Sequence, residues 1–174
     1  MTHRRGLLLT PKKKPDKQIM QKRGVVAYLM ATSKQYRAYP LGSLTVWIDP
    51  PIATDQLAVF YRWNDSEPVG YVTWALLAPD VEHRWLHDPQ VLLHPSEWNE
   101  GENLWIMDFL ALPGYCEDIV EFIEQNMFVG YLEARSVRRN ADGTVRKVST
   151  WRRRACRQPI ARPDATLTSS GDRP

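Results

Sequence analysis

A single acid interrupts an otherwise apolar run near the middle of the chain. Residues 104–110 read LWIMDFL, a pattern that predicts a buried strand whose one ionisable side chain is Asp108. A carboxylate in an apolar strand costs several kcal/mol unless it is paired or hydrogen-bonded. Asp108 is therefore either a structural hydrogen-bond acceptor or a working acid/base with an altered pKa, and the residue pattern leaves both roles open.

Metal and cofactor chemistry finds little support in the sequence. The polar connection over residues 78–99 holds His83 and His87, four apart and able to share a helix face, but a zinc site needs a third ligand and a context such as HExxH. P-loop, GxGxxG and GxSxG motifs are missing. The acetyl-CoA loop of common N-acetyltransferases, Gln/Arg-x-x-Gly-x-Gly/Ala, is missing as well. We predict no metal ion and no resident cofactor.

Composition narrows the class of protein further. The chain has 174 residues, a net charge of +3 and no apolar run near the ~20 residues of a transmembrane helix. Cys116 and Cys156 are typical of free thiols in a reducing compartment, so we expect a cytoplasmic protein. The basic residues gather near the ends, which favours solubilising tails or a surface for an acidic partner over a nucleic-acid module.

The elements that must position Asp108 follow from periodicity and turn residues. We predict a disordered basic N-terminus over residues 1–15, one domain over 16–154 and a flexible tail over 155–174. Gly70 inside a predicted strand indicates a bulge or a close approach of another backbone or a ligand. The order of elements predicts an α/β (α+β) fold with a sheet of about six strands and helices packed on it. The predicted helices are 16–31 and 115–127, and the predicted strands are 44–48, 57–63, 69–76, 104–110, 131–138 and 144–151.

Two blocks of the sequence resemble a known family. Residues 68–75 read PVGYVTWA, and residues 98–111 read WNEGENLWIMDFLA. They are similar to PVAYCSWA and WxxGDxxWIIDWIAP in the toxin-activating lysine acyltransferases of Gram-negative bacteria, the haemolysin- and cyclolysin-activating proteins. The similarity runs from about residue 28 to residue 151.

This resemblance implies a GNAT-like mixed, mostly antiparallel sheet flanked by helices. It implies a cytoplasmic, often homodimeric enzyme that moves a fatty acyl group from acyl carrier protein to the ε-amine of an internal lysine in an RTX-type protein. The absent CoA loop agrees with a carrier-protein donor, so the expected partners are acyl carrier protein, an RTX-type protein and a second copy of the chain.

The resemblance also implies roles for individual residues. The essential acid of the family falls on Asp108. The motif SxxHRxWP falls on residues 33–40, which read SKQYRAYP, so Ser33 is matched and the catalytic His is replaced by Tyr36. We expect Asp108, Tyr36 and Ser33 to be the catalytic residues. The residues predicted to bind substrate are Tyr71 and Trp74 of the first block and four arginines suited to an acidic carrier, Arg37, Arg135, Arg138 and Arg139.

The change from His to Tyr leaves three interpretations. Histidine titrates near neutral pH, whereas a free tyrosine has a pKa of about 10 and is a poor base. Asp108, with its pKa raised by burial, can be the only base while Tyr36 orients it or donates a hydrogen bond. Alternatively, His83 or His87 replaces the missing histidine. In the third interpretation the chain has lost transfer and only binds an acyl carrier or a partner protein. The four arginines also have an alternative interpretation, in which they are solvent-exposed side chains at the edge of a hairpin and do not bind substrate.

Overall fold

The computed structural model describes residues 16–152. The predicted disordered N-terminus and the predicted flexible tail lie outside the described residues. Within residues 16–152, none of the helices is long and apolar enough to cross a membrane.

The described chain forms one five-stranded sheet whose strands follow one another in chain order. All neighbouring strands are antiparallel except β3 and β4, which run parallel. This confirms the predicted mixed, mostly antiparallel sheet, with five strands where we expected about six. The strands are β1 (Leu57–Tyr61), β2 (Pro68–Leu77), β3 (Asn103–Ala111), β4 (Glu133–Arg139) and β5 (Val145–Arg152).

The helices flank this sheet, and one of them replaces a predicted strand. Residues 44–48 are mostly apolar and include three β-branched side chains, which favours a strand, but residues 44–47 fall in a short helix and Ile48 caps it. Leu44, Ile48 and Ile52 recur every four residues and bury one apolar side, so helical periodicity decides the outcome. The helices are α1 (Lys17–Thr32), α2 (Ser43–Trp47), α3 (Asp49–Ala53), α4 (Pro79–His87) and α5 (Cys116–Phe122), with a 3₁₀ turn at Pro95–Trp98 and a π-helical turn at Ile123–Met127.

Alternation along β2 shows which helices share a face of the sheet. Tyr71 packs in the cluster that contains α1, and Ala75 packs in the cluster that contains α4. Both side chains are at odd positions of one strand, so α1 and α4 lie on the same face. Val72 points the other way and packs with Ile119 of α5. We call these two sides the α1 face and the α5 face.

A β-bulge in β3 decides which face carries Asp108. Thr73 pairs with Asp108 and Trp74 pairs with Ile106, so Met107 is the extra residue on β3. In a regular strand Trp105 and Asp108 would point to opposite faces because they are three residues apart. The bulge places both on the α1 face.

Two glycines allow backbone segments to approach closely. A Cβ atom at Gly70 would lie 2.6 Å from the backbone oxygen of Leu110, which confirms the predicted close approach. A Cβ atom at Gly101 would lie 2.1 Å from both the carbonyl carbon and the carbonyl oxygen of Leu77. Gly101 thus lets the start of β3 pass directly against the end of β2.

Replacing Gly101 with alanine is expected to destabilise the protein. The new methyl group would overlap backbone rather than a movable side chain, so we expect Gly101→Ala to lower the free energy of unfolding by about 1–3 kcal/mol. Gly130→Ala is the matched control, because nothing lies within 4 Å of a Cβ atom at that position. Urea denaturation of both variants measures the difference; equal stability of the two would contradict the tight approach.

Candidate active site

The carboxylate of Asp108 accepts hydrogen bonds at both oxygens. The hydroxyl of Tyr36 and the backbone N–H of Phe109, at 2.9 Å, donate to Oδ1. The hydroxyl of Tyr71 donates to Oδ2 at 2.7 Å. A carboxylate has about four acceptor positions, so these three bonds leave capacity at Oδ2. The predicted catalytic residues Asp108 and Tyr36 and the predicted substrate residue Tyr71 are therefore brought together.

Tyr36 reaches Asp108 because helix α1 ends at the right place. The backbone N–H of Ser33 bonds to the carbonyl of Leu29 at 3.2 Å and ends the helix, and the N–H of Tyr36 bonds to the carbonyl of Ser33 at 3.2 Å. The helix is held to the sheet side of α3 by an ion pair between Arg23 and Asp49. Ser33 thus shapes the turn, and its hydroxyl accepts from the N–H of Gln35 at 3.3 Å rather than from a group at Asp108.

Burial controls the electrostatics of this group of three side chains. Burial raises the pKa of Asp108 above its usual value, while the hydrogen bonds from Tyr36, Tyr71 and Phe109 act in the opposite direction. Burial, followed by the charge of Asp108, raises the pKa of both tyrosines far above the ordinary value. Both phenols are therefore protonated donors at neutral pH, and Asp108 is the base of the group.

A cleft opens beside Asp108 where β3 and β4 separate. The two strands pair only at Trp105 with Arg135 and at Ile106 with Ser136, and they diverge beyond these pairs. The cleft has a volume of about 940 Å³ and is lined from both faces of the sheet. Its lining comprises Gln35, Tyr36, Ile106, Met107, Asp108, Phe109, Cys116, Val120, Glu124, Ser136, Val137, Arg138, Arg139, Arg146, Ser149, Thr150, Trp151 and Arg152.

The cleft carries more positive than negative charge. Of the predicted arginines, Arg138 and Arg139 line it, and the sequence analysis missed Arg146 and Arg152 on β5. The signal was available, because residues 144–151 are predicted as the next strand after the one that carries Arg138. Arg139 is partly engaged: it donates to the carbonyl of Gly143 at 2.8 Å, and burial lowers its pKa.

Arg135 and Arg37 do not line the cleft. Arg135 is paired with Glu82, lies 3.7 Å from Glu133 and stacks over the ring of Trp105 at 5.0 Å. It thus has a structural role on the α1 face beside α4. Arg37 is exposed in the turn that carries Tyr36.

Trp74 is also placed away from Asp108. It occupies the α5 face, where its ring packs edge-to-face against Phe128 with centroids 5.5 Å apart. A substrate held at Asp108 on the α1 face gains no support from Trp74 in this arrangement. Of the substrate-binding predictions, Tyr71, Arg138 and Arg139 lie at the site or in its cleft, whereas Trp74, Arg37 and Arg135 do not.

The histidines of the described chain do not approach this site. His83 and His87 are exposed on α4, where their rings stack at 4.2 Å. The ring of His94 accepts from the N–H of Ser96 at the start of the 3₁₀ turn. None of the three lines the cleft, so the interpretation in which His83 or His87 supplies a catalytic histidine finds no support within residues 16–152. Within the same residues, no cluster of three or more potential metal ligands occurs.

One polar group near Asp108 was not anticipated. Thr73 pairs with Asp108 across β2 and β3 on the α1 face and is fully buried. Its hydroxyl has no hydrogen-bond partner among the described residues. Pairing residues 68–75 with residues 98–111 as adjacent strands would have indicated that Thr73 lies next to Asp108.

Comparisons with known proteins identify the family to which this chain is similar. The model of the RTX toxin acyltransferase family matches residues 16–152. An uncharacterized protein of Synechocystis sp. is 28% identical over 74% of this chain and 86% of its own length. The RTX-I toxin-activating lysine-acyltransferase ApxIC of Actinobacillus pleuropneumoniae is 30% identical over 74% of this chain and 72% of its own length.

Other matches are shorter or more distant. The protein-lysine myristoyltransferase HlyC of Escherichia coli is 31% identical over 51% of this chain, and the aligned part spans about half (49%) of its length. The solved loading GNATL domain of CurA from Lyngbya majuscula aligns with a TM-score of 0.46 and 15% identity, covering 70% of this chain and 61% of that domain. Because the family model matches residues 16–152, well over half of the chain, the chain belongs to the RTX toxin acyltransferase family.

Proposed function

We propose that this chain transfers a fatty acyl group from acyl carrier protein to the ε-amine of an internal lysine in an RTX-type, toxin-like protein. Family membership makes acyl transfer the class of reaction. The observation that carries the proposal is the buried, hydrogen-bonded carboxylate of Asp108 at the wall of a large cleft. A cytoplasmic location and a homodimer are further expectations of the proposal.

The chemistry requires a base at the attacking amine. The lysine nitrogen attacks the thioester carbonyl, a C–N bond forms, and the C–S bond breaks with its electron pair leaving on sulfur. The nitrogen must lose a proton, and the remaining acceptor position at Oδ2 of Asp108 can take it. Because burial raises the pKa of Asp108, its carboxylate is a stronger base than an exposed one.

Tyr36 acts on this step through Asp108. Its phenol is protonated and donates to Oδ1, which holds the carboxylate and leaves Oδ2 for the incoming amine. A phenol with a raised pKa is also a weaker acid than free tyrosine, so protonating the leaving thiolate is not its best use. Tyr36 is therefore a positioning residue, and Asp108 alone is the base.

The charge of the cleft fits an acidic donor. Arg138, Arg146 and Arg152 are exposed and line the cleft, with Arg138 and Arg146 near the turn between β4 and β5 and Arg152 at the other end of β5, 3.9 Å from Glu133. Guanidinium groups bind phosphate well, and an acylated carrier presents both a phosphopantetheine phosphate and acidic helices. The three arginines are the contacts that we assign to the carrier.

Removing the base should abolish most of the transfer. Asp108→Asn keeps the shape of the side chain but cannot accept the proton, so we expect acyl transfer to fall by about 10²-fold or more. The measurement is the intact mass of a lysine-containing RTX protoxin segment after incubation with acylated carrier. Unchanged transfer would remove Asp108 from the mechanism.

The same variant should not be less stable at neutral pH. Since the pKa of Asp108 is raised in the folded state, its contribution to stability is present at low pH and is lost as the pH rises through the folded pKa. Asparagine has no such dependence. The melting temperature of Asp108→Asn, relative to that of the wild type, should therefore rise as the pH rises. A variant that is stable but inactive has lost the base and kept the fold.

Changing Tyr36 should move the pH dependence of the rate. Tyr36→Phe removes a hydrogen bond that lowers the pKa of Asp108, so the acid limb of kcat/KM should shift to higher pH. Tyr36→His restores the family residue and should preserve or raise activity. Tyr39→Phe is the matched control, because the ring of Tyr39 lies beside Tyr36 but belongs to the exposed part of the turn. An acid limb that stays in place in Tyr36→Phe would contradict the positioning role.

The carrier contacts should depend on salt. Arg146→Ala should raise KM for acylated carrier by about threefold, the scale of an exposed charge pair, and should flatten the loss of affinity between low and physiological salt. Arg62→Ala is the control, since Arg62 pairs with Asp65 at 2.5 Å in the turn after β1. Salt-independent binding of the wild type would contradict the electrostatic model.

A binding protein without transfer is the second candidate. It is favoured by one observation: no histidine of the described chain lines the cleft, and the motif resemblance puts Tyr36 where a histidine is expected. The two candidates separate in the mass assay. A wild-type chain that binds acylated carrier with no mass added to lysine supports the second candidate.

A further inference from the structure

A small pocket with apolar and charged lining residues lies directly beside the cleft. Its volume is about 20 Å³, room for roughly one water molecule. It shares four lining residues with the cleft, Ile106, Glu124, Trp151 and Arg152, so the two spaces are neighbours. Its remaining lining is Ile123, Phe128, Tyr131, Leu132, Glu133 and Ala134.

The indole of Trp151 is held between these two spaces. Its N–H donates to the hydroxyl of Ser136 at 2.9 Å, and its ring meets the ring of Phe109 edge-on with centroids 6.0 Å apart. The side chain is half-buried and packs in the core cluster of the α5 face. A polar bond and an aromatic contact therefore fix its orientation.

The two faces of the sheet offer different surfaces to a donor in the cleft. On the α1 face the lining includes the polar groups of Gln35, Tyr36 and Asp108, where a thioester must meet the amine, and the side chains of Met107 and Val137. On the α5 face the lining includes Phe109, Val120 and Trp151, which are apolar. Because the cleft passes between β3 and β4, an acyl chain whose thioester lies beside Asp108 finds an apolar path when it runs toward the α5 face.

We propose that Trp151 sets the longest acyl chain that the cleft accepts. This inference rests on the proposed function and adds the specificity of the same site. The distal end of the chain stops against the indole, and the pocket beyond it remains too small to receive carbon atoms. Glu124, partly exposed, and Arg152, exposed, lie at the outer edge and leave the inner path to Ile106 and Ala134.

A smaller side chain at position 151 would join the two spaces. The wall of the joined space would be Ile106, Ile123, Phe128 and Ala134, all of which pack in one apolar cluster. Longer chains would then gain apolar contact, while short chains that never reach the indole would not. The change in preference, rather than in overall affinity, is the signature of this arrangement.

The test compares carrier proteins loaded with octanoyl, dodecanoyl and hexadecanoyl groups. Dissociation constants are measured for the full wild-type chain and for Trp151→Leu. We expect the variant to raise the hexadecanoyl-to-octanoyl affinity ratio by about tenfold or more, since an extra methylene in an apolar pocket is worth at least that factor. Trp63→Leu is the matched control, because Trp63 is 98% exposed, and its ratio should equal that of the wild type.

The affinity ratios test the role of Trp151, and the mass assay tests the proposed function, so either one can fail without the other. An unchanged ratio in a folded Trp151→Leu overturns the role of Trp151, even if the wild type acylates lysine. If Trp151→Leu unfolds, Trp151→Phe keeps a ring, loses the bond to Ser136 and should shift the ratio in the same direction by less; no shift there overturns the role as well. A wild type that adds no mass to lysine with any chain length defeats the proposed function, while the ratios still decide the role of Trp151.

Discussion

The burial of one carboxylate is the constraint on which the site depends. Asp108 lies in a strand that is apolar on both sides, and its charge is tolerated only because hydroxyl and N–H groups face it. The donors come from far apart in the chain: Tyr36 is 72 residues away and Tyr71 is 37 residues away. Helix α1 and strands β2 and β3 must therefore all be in place before the carboxylate of Asp108 has its hydrogen-bond donors. The base of the active site is thus formed only when these elements have folded together.

The separation of β3 from β4 is the second condition for function. A sheet that stayed paired along its length would have no room for a thioester, whereas here two pairs of residues hold the strands and the rest of the gap is open. Asp108 also serves this opening, because its Oδ1 accepts the N–H of Phe109, beyond the last of those pairs. The acid thus satisfies part of the backbone that the cleft exposes.

Sequence reasoning found the strand, the acid and the hairpins, because those depend on local patterns. Asp108 stands out as the one charge in an apolar run, and the family motif placed Tyr36 in the site. The same reasoning missed helix α2, where burial on a four-residue period outweighed β-branched propensity. It also assigned Arg135 to substrate, since no local pattern reveals that Glu82, 53 residues away, has already engaged that guanidinium.

The extra residue Met107 has a consequence for how relatives of this chain should be compared. Its apolar side chain resembles its neighbours, so simple alternation along β3 assigns Asp108 to the wrong side of the sheet. Deleting this one residue would restore a regular ladder in which the acid, then two residues after Trp105, still points to the α1 face. The pairing of the acid with Thr73, rather than the number of residues between Trp105 and Asp108, is the trait that an alignment of active members must preserve.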